Sequence, residues 1–168
     1  MYPMVDLPPQ RYEASTEKSD CGFVFRKSVH SRIMDRTAFF DKKLQNDCWF
    51  DLRYPKLDAN IHFTYYPIGR MHTYQDLASE SFQMVYEHSA IATGIDEIPI
   101  LQDGPQGMAF SLSGPVASPF QFYLSDTTEH FIRGALYFNT RPNPDSIAPV
   151  LDYILTDLDT LIKSFQWR

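Results

Sequence analysis

The side chains best suited to chemistry in this sequence are five histidines, and their spacing forms no recognisable site. None belongs to a His-x-His or His-x-x-x-His pair, the spacings that put two imidazoles on one side of a strand or a helix. His62 would join His72 or His130 in a metal or acid/base site only if the fold brought them together. A histidine on or beside a strand is usually a structural or surface residue. We therefore predict no metal and no cofactor from these residues, which are His30, His62, His72, His88 and His130.

Motifs for nucleophilic catalysis and phosphate binding are missing from the sequence. The segment Ser111-Leu112-Ser113-Gly114 lacks the Gly-x-Ser-x-Gly pattern of a nucleophile elbow. The seven glycines are dispersed, so they form neither a phosphate loop nor a dinucleotide fingerprint. These motifs therefore yield no candidate catalytic residue.

Arg133 draws attention because of the strand that contains it. Phe131 to Phe138 places apolar side chains on both faces, which predicts a strand in the middle of a sheet covered on both sides. A guanidinium there is costly unless it has a partner. Arg133 either reaches outward or pairs with a carboxylate such as Asp51, or it anchors an anionic ligand or partner group. His130, just before this run, is the second candidate.

Two runs of alternating apolar residues predict a hairpin that carries two more candidates. Residues 48–54 and 60–66 alternate on either side of a short polar loop. Trp49 and Arg53 fall on the face opposite Phe50. Trp49 is either a core aromatic under a helix or a contact for a partner, and Arg53 is a candidate contact for a ligand or partner.

Helical periodicity predicts two helices around the strands. One begins at the capping residue Thr73 and ends at Gly94, and the other carries an apolar stripe from Ile147 to Phe165. The connection 35–47 is expected to be irregular or partly helical. These patterns predict an α+β fold, a three-layer α/β/α sandwich with a mostly antiparallel central sheet. We expect an extended arm over residues 1–20 and a single domain over residues 21–168.

Composition limits the class of protein. The formal net charge is −6 and the basic residues are scattered, so nucleic acid is not an expected partner. No apolar run approaches the roughly 20 residues that span a bilayer. The first residues lack the pattern of a signal peptide. This leaves a cytoplasmic protein or a sequence from which a targeting segment is missing.

Cys21 and Cys48 have no Cys or His at ligand spacing, so they do not predict a metal site. In an oxidising compartment they could pair and close a loop worth roughly 3–4 kcal/mol. The alternative is two buried free thiols. The residues alone leave both states open.

Several segments together resemble the gliding-motility lipoprotein GldD family over nearly the whole chain. The most specific block runs from His130 to Asn139 and continues in Pro142–Ser146 and Ala148–Val150. The other matching segments are Tyr2-Pro3, Asp6–Pro8, Asp20–Phe25 and Cys48–Pro55. In fold pattern, the final strand and helix are also similar to a PsbP/Mog1-type sandwich.

The GldD resemblance implies a non-enzymatic accessory protein of the bacterial cell envelope. Members of this family face the periplasm from a lipid anchor and are associated with gliding and the secretion machinery coupled to it. The implied partners are other envelope proteins, and the membrane is contacted only through an anchor that this chain lacks. In the periplasm, a Cys21–Cys48 disulfide becomes the expected state.

Two functions therefore stand side by side. The first is an interaction module that binds other envelope proteins and has no deep polar pocket. The second is a periplasmic small-molecule-binding protein or hydrolase with a cleft near His130 and Arg133. The second requires those side chains, or His62, to lie within hydrogen-bonding reach of one another.

Overall fold

The computed structural model describes residues 7–35, 48–87, 91–139 and 144–168. The predicted irregular connection therefore lies outside the described residues, apart from Asp35. Within the described ranges the helices are α1, Tyr74–Glu87, and α2, Pro144–Ser164. The strands are β1 Tyr12–Ser15, β2 Phe23–Ser28, β3 Arg32–Asp35, β4 Phe50–Tyr54, β5 Ala59–Pro67, β6 Gly94–Ile100, β7 Gln106–Ser113, β8 Phe120–Ser125, β9 His130–Phe138 and β10 Gln166–Trp167.

Seven of the strands form one antiparallel sheet in the order β3-β4-β5-β9-β8-β7-β6. β9 lies in the middle, between β5 and β8, and its residues 131–136 are all buried. β4 and β5 form the predicted hairpin, with Phe50 opposite Phe63. The predictions of a central strand and of a mostly antiparallel α+β fold are confirmed.

Alternate residues of β9 contribute to two separate cores. Ile132 and Leu136 pack in the larger core together with Ile154 of α2. Phe131 points the other way and packs in the second core with Leu77 of α1. The sheet thus has an α1 face and an α2 face, which is compatible with the predicted three layers.

A second, smaller sheet has the order β1-β2-β10. Phe23 and Phe25 of β2 belong to the larger core, so this sheet packs on the α2 side. β1 lies in the part of the predicted N-terminal arm that the structure describes and pairs with β2. The sequence did not predict β10, a two-residue strand that pairs with β2 through Gln166 and Trp167.

Helix α1 begins as predicted and ends earlier than predicted. The Thr73 hydroxyl accepts a hydrogen bond from the Asp76 amide at 3.1 Å, which satisfies one of the free donors of the first turn. The predicted end at Gly94 is wrong, because Gly94 is the first residue of β6 and pairs with Ser113. Among the residues described, no helix is both long and apolar enough to cross a membrane.

Candidate functional site

A cavity of about 600 Å³ lies on the α1 face of the sheet. Its floor comes from β4, β5 and β9, one wall comes from α1, and Trp49 stands just before β4. We call it the α1 cavity. Its lining includes Trp49, His62, Tyr66, Arg133 and Tyr137. The volume is in the range of small-molecule sites, which the interaction-module hypothesis did not anticipate.

Strand register brings these side chains together from distant parts of the sequence. Asp51 of β4 lies opposite His62 of β5, and Thr64 of β5 lies opposite Arg133 of β9. Because successive side chains of a strand alternate between faces, His62 and Thr64 project to the same side as Asp51 and Arg133. The pairing of β5 with β9 assembles the site and joins residues about 70 positions apart.

Arg133 is buried, with 8% of its surface exposed. Its guanidinium donates to the Ser81 hydroxyl at 3.0 Å, to the Met84 sulfur at 2.7 Å and to the Leu77 carbonyl at 3.4 Å. All three partners belong to α1 and all three are neutral. In the described part of the chain, Arg133 forms no ion pair with a carboxylate.

Burial lowers the pKa of Arg133, while Tyr66, Glu80 and Tyr137 act to raise it. The interpretation that Arg133 pairs with Asp51 is wrong. Asp51 instead places a carboxylate oxygen 2.6 Å from Nδ1 of His62. Arg133 is therefore a buried cation held by neutral groups, at the edge of a space large enough for a ligand.

Aromatic rings form much of the remaining lining. The Trp49 indole N–H donates to the Tyr65 carbonyl at 2.9 Å, and its ring meets Tyr66 edge-on at 5.6 Å between centroids. The His62 ring lies 4.8 Å from the Tyr137 ring. These contacts fix the orientation of the rings, so the wall of the cavity is ordered before any ligand arrives.

Arg53 lies outside this lining. Its guanidinium donates to Asn60 at 3.1 Å and to Asp58 at 3.3 Å, at the turn of the β4–β5 hairpin. Its charge is thus partnered within its own hairpin.

His130 faces the other side of the sheet. Its ring stacks on Trp167 at 4.8 Å between centroids, and its Nδ1 is hydrogen-bonded to the Tyr65 hydroxyl. Because His130 lies on the α2 face and Arg133 on the α1 face, the two cannot line one cleft. The predicted His130–Arg133 cleft is wrong.

Asp126, Glu129 and His130 carry potential metal-ligand atoms within 4.8 Å of one another. One Asp126 oxygen already accepts three backbone N–H groups, and Glu129 is largely exposed. We interpret this group as part of the turn between β8 and β9.

Cys21 and Cys48 form a disulfide, with an S–S distance of 2.10 Å. Cys21 ends a short 3₁₀ turn, Ser19–Cys21, ahead of β2, and Cys48 lies two residues before β4. The bond therefore links the small sheet to the large one.

The sequence pattern predicts Trp49 and Arg133 as candidate site residues, with His62 as a further possibility. The pattern did not predict four other residues that line the cavity, Tyr66, Glu80, Met84 and Tyr137. The alternation of β5 and β9 does place Tyr66 and Tyr137 on the faces of His62 and Arg133. What was lacking was the pairing of those two strands, which no short motif encodes.

The fold places the chain among PsbP-like α+β proteins. It is similar to the solution structure of cyanobacterial PsbP (CyanoP) from Synechocystis sp. PCC 6803, with a TM-score of 0.51 and 10% sequence identity over 98% of this chain and 97% of that one. At this identity the likeness shows the fold alone. No curated protein matches the chain significantly.

A family match is more specific. The sequence model of the gliding motility lipoprotein GldD matches residues 1–167. The chain belongs to this family, and the resemblance inferred from the sequence is confirmed. The protein is thus a member of a family of cell-envelope lipoproteins associated with gliding motility.

Proposed function

We propose that this protein is a non-enzymatic accessory component of the gliding-motility machinery and that it acts by binding other cell-envelope proteins. The observation that carries the proposal is the family match over residues 1–167. We further propose that the domain faces the periplasm from a lipid anchor and contacts the secretion machinery coupled to gliding. The Cys21–Cys48 disulfide supports that location, because such bonds persist in oxidising compartments.

The edge strand β6 is the surface that we propose for partner binding. In the described part of the sheet it pairs on one side only, with β7. An edge strand offers backbone donors and acceptors to a further strand. Ile98 is 47% exposed and Leu101, just beyond the strand, is 79% exposed.

Charge narrows the kind of partner that β6 would take. Asp96 and Glu97 are exposed on this strand, and the whole chain carries a net charge of −6. We therefore propose an extended partner segment that adds to the sheet as a strand and carries both apolar and basic side chains. Electrostatic attraction of this kind mainly speeds association and aligns the two chains.

Site-specific photo-crosslinking tests this proposal in a gliding bacterium that carries the full-length lipoprotein. A crosslinker at Ile98 should give one reproducible adduct with an envelope protein. The matched control is Met71, which is 88% exposed on the loop before α1 and should give none. Ile98→Lys should reduce both the adduct yield from a crosslinker at Leu101 and the gliding speed.

The two parts of the proposal fail in different ways. If deletion of the gene leaves gliding unchanged, the motility role is wrong. If gliding requires the protein but crosslinkers at Ile98 and Met71 give the same adducts, the motility role stands and the assignment of partner binding to β6 is wrong.

A further inference from the structure

The α1 cavity contains a feature that an interaction surface does not require, a buried cation that forms no ion pair with any residue that the structure describes. Removing a guanidinium from water is unfavourable unless hydrogen bonds and an opposite charge compensate. Arg133 has the hydrogen bonds, all to neutral groups of α1, and forms no ion pair among the described residues. An anion bound in the cavity would supply the opposite charge.

The geometry of Arg133 leaves room for that anion. A guanidinium carries five N–H groups, and three hydrogen bonds to Ser81, Met84 and Leu77 are formed. Among the described residues no acceptor binds the other two N–H groups, and Arg133 lines the cavity. Two N–H groups of one guanidinium match the two oxygens of a carboxylate.

The other charges of the cavity favour a singly charged anion. Asp51 is paired with His62, and Glu80 is exposed where α1 borders the cavity. A dianion such as phosphate would meet these two carboxylates with only one guanidinium to balance it. A monocarboxylate would compensate the charge of Arg133 without adding a second negative charge.

The walls indicate the rest of the ligand. Trp49, Tyr66 and Tyr137 present aromatic surface, and a volume of about 600 Å³ leaves space well beyond a carboxyl group. Packing an aromatic ring or an apolar body against such walls gives the most favourable binding free energy.

We propose that the α1 cavity binds a small molecule with one carboxylate, held by Arg133, and an aromatic or apolar body, packed on Trp49 and Tyr66. This inference does not rest on the motility role, because it follows from the cavity alone. The pairing of β5 with β9 positions the site, and Arg133 on β9 supplies its positive charge.

The fluorescence of Trp49 gives a direct readout. Trp167 is the other tryptophan and packs on the α2 face, so Trp167→Phe leaves Trp49 as the single reporter. The probes are 3-phenylpropionate and its uncharged amide, 3-phenylpropanamide, titrated into the oxidised full chain. We expect a saturable change with the acid and about tenfold weaker binding of the amide, because only the acid forms charge-assisted hydrogen bonds.

Two substitutions test the assignment to Arg133. Arg133→Met should remove the preference for the acid over the amide. Arg53→Gln is the matched control, because Arg53 is on the same hairpin as the site but is partnered outside the cavity, and it should leave both titrations unchanged.

Glu80→Gln keeps the test decisive if Arg133→Met does not fold, because Glu80 is exposed on α1. Loss of this like charge should tighten acid binding about twofold and leave amide binding unchanged. Equal affinities for acid and amide in the parent protein, or no saturable signal with either probe, would overturn the proposal. So would acid affinity that does not rise in Glu80→Gln.

Discussion

At the turn between β8 and β9, one carboxylate organises the backbone. An Asp126 oxygen accepts hydrogen bonds from the amides of Thr128 at 3.1 Å, Glu129 at 2.8 Å and His130 at 2.8 Å. Burial alone would raise the pKa of Asp126, but these backbone donors and the nearby His130 outweigh it and the pKa is lowered. The ionised side chain therefore stabilises the entry into the central strand.

This arrangement predicts a pH-dependent contribution to stability. A carboxyl group with a lowered folded-state pKa stabilises the fold above its unfolded pKa of about 3.9 and loses that contribution as the pH falls through the folded value. Asp126→Ala should lower the free energy of unfolding at pH 7 by about 1–2 kcal/mol, because three amides lose their acceptor. Asp126→Asn should lose less, since it keeps an oxygen.

Urea denaturation at pH 7 and below pH 3 measures the effect. The difference between the parent protein and Asp126→Asn should shrink in acid. Asp152→Asn, on the exposed side of α2, controls for the loss of one negative charge. A penalty for Asp126→Asn that is the same at both pH values would contradict the interpretation.

Single residues also show the limits of a sequence. Arg133 could be recognised because a charge interrupts a two-sided apolar strand, and it does line the cavity. The apolar pattern did not separate His130 from Arg133 as a candidate for the same cleft, although His130 lies on the opposite face of the sheet and stacks on Trp167. The odd spacing of 130 and 133 already places them on different faces of a regular strand, and that simple parity was the available signal.

At the scale of elements, the ring of Phe122 on β8 lies directly over Gly134 of β9. A Cβ built there would lie 2.4 Å from a ring carbon of Phe122. No side chain fits unless that buried ring moves, so glycine is needed for space in the centre of the sheet. Phe122 in turn meets Phe63 of β5 edge-on, at 6.0 Å between ring centroids.

Gly134→Ala should therefore lower the free energy of unfolding by about 1–3 kcal/mol through overpacking. Gly94→Ala is the control, because a Cβ on that glycine of β6 meets nothing within 4 Å. Chemical denaturation of both variants gives the comparison. Equal effects of the two substitutions would show that the Phe122 contact does not determine the cost, because the restriction of the unfolded chain by alanine favours the folded state.

Elements with strong local patterns were predictable, and those defined by distant contacts were not. The β4–β5 hairpin and the central position of β9 follow from alternation and two-sided apolarity. β10 is two residues long, and its pairing with β2 joins segments more than 140 positions apart. The pattern predicts a helix end at Gly94 because glycine is common at helix ends, whereas Gly94 starts strand β6.

At the scale of the whole molecule, the Cys21–Cys48 disulfide joins two sheets that share one core. The bond spans 27 residues of sequence, so the unfolded chain loses substantial freedom when it is closed. The double variant Cys21→Ala, Cys48→Ala should have a free energy of unfolding about 3–4 kcal/mol below that of the oxidised parent.

Denaturation with and without a reducing agent tests this expectation. Reduction should destabilise the parent to the level of the double variant and leave the double variant unchanged. If the oxidised parent and the double variant unfold at the same denaturant concentration, the bond contributes nothing to stability.

The position of this disulfide also governs how the domain would respond to mechanical tension. A pull on the chain from the N-terminal side would peel β1 from β2, since β2 is the one strand with which β1 pairs in the described part of the chain. The described residues before Cys21 number fourteen, 7–20, and could lengthen to about 50 Å. At Cys21 the force would pass through a covalent bond to Cys48 and into the seven-stranded sheet, so β2 and the aromatic core behind it would be shielded from further unravelling.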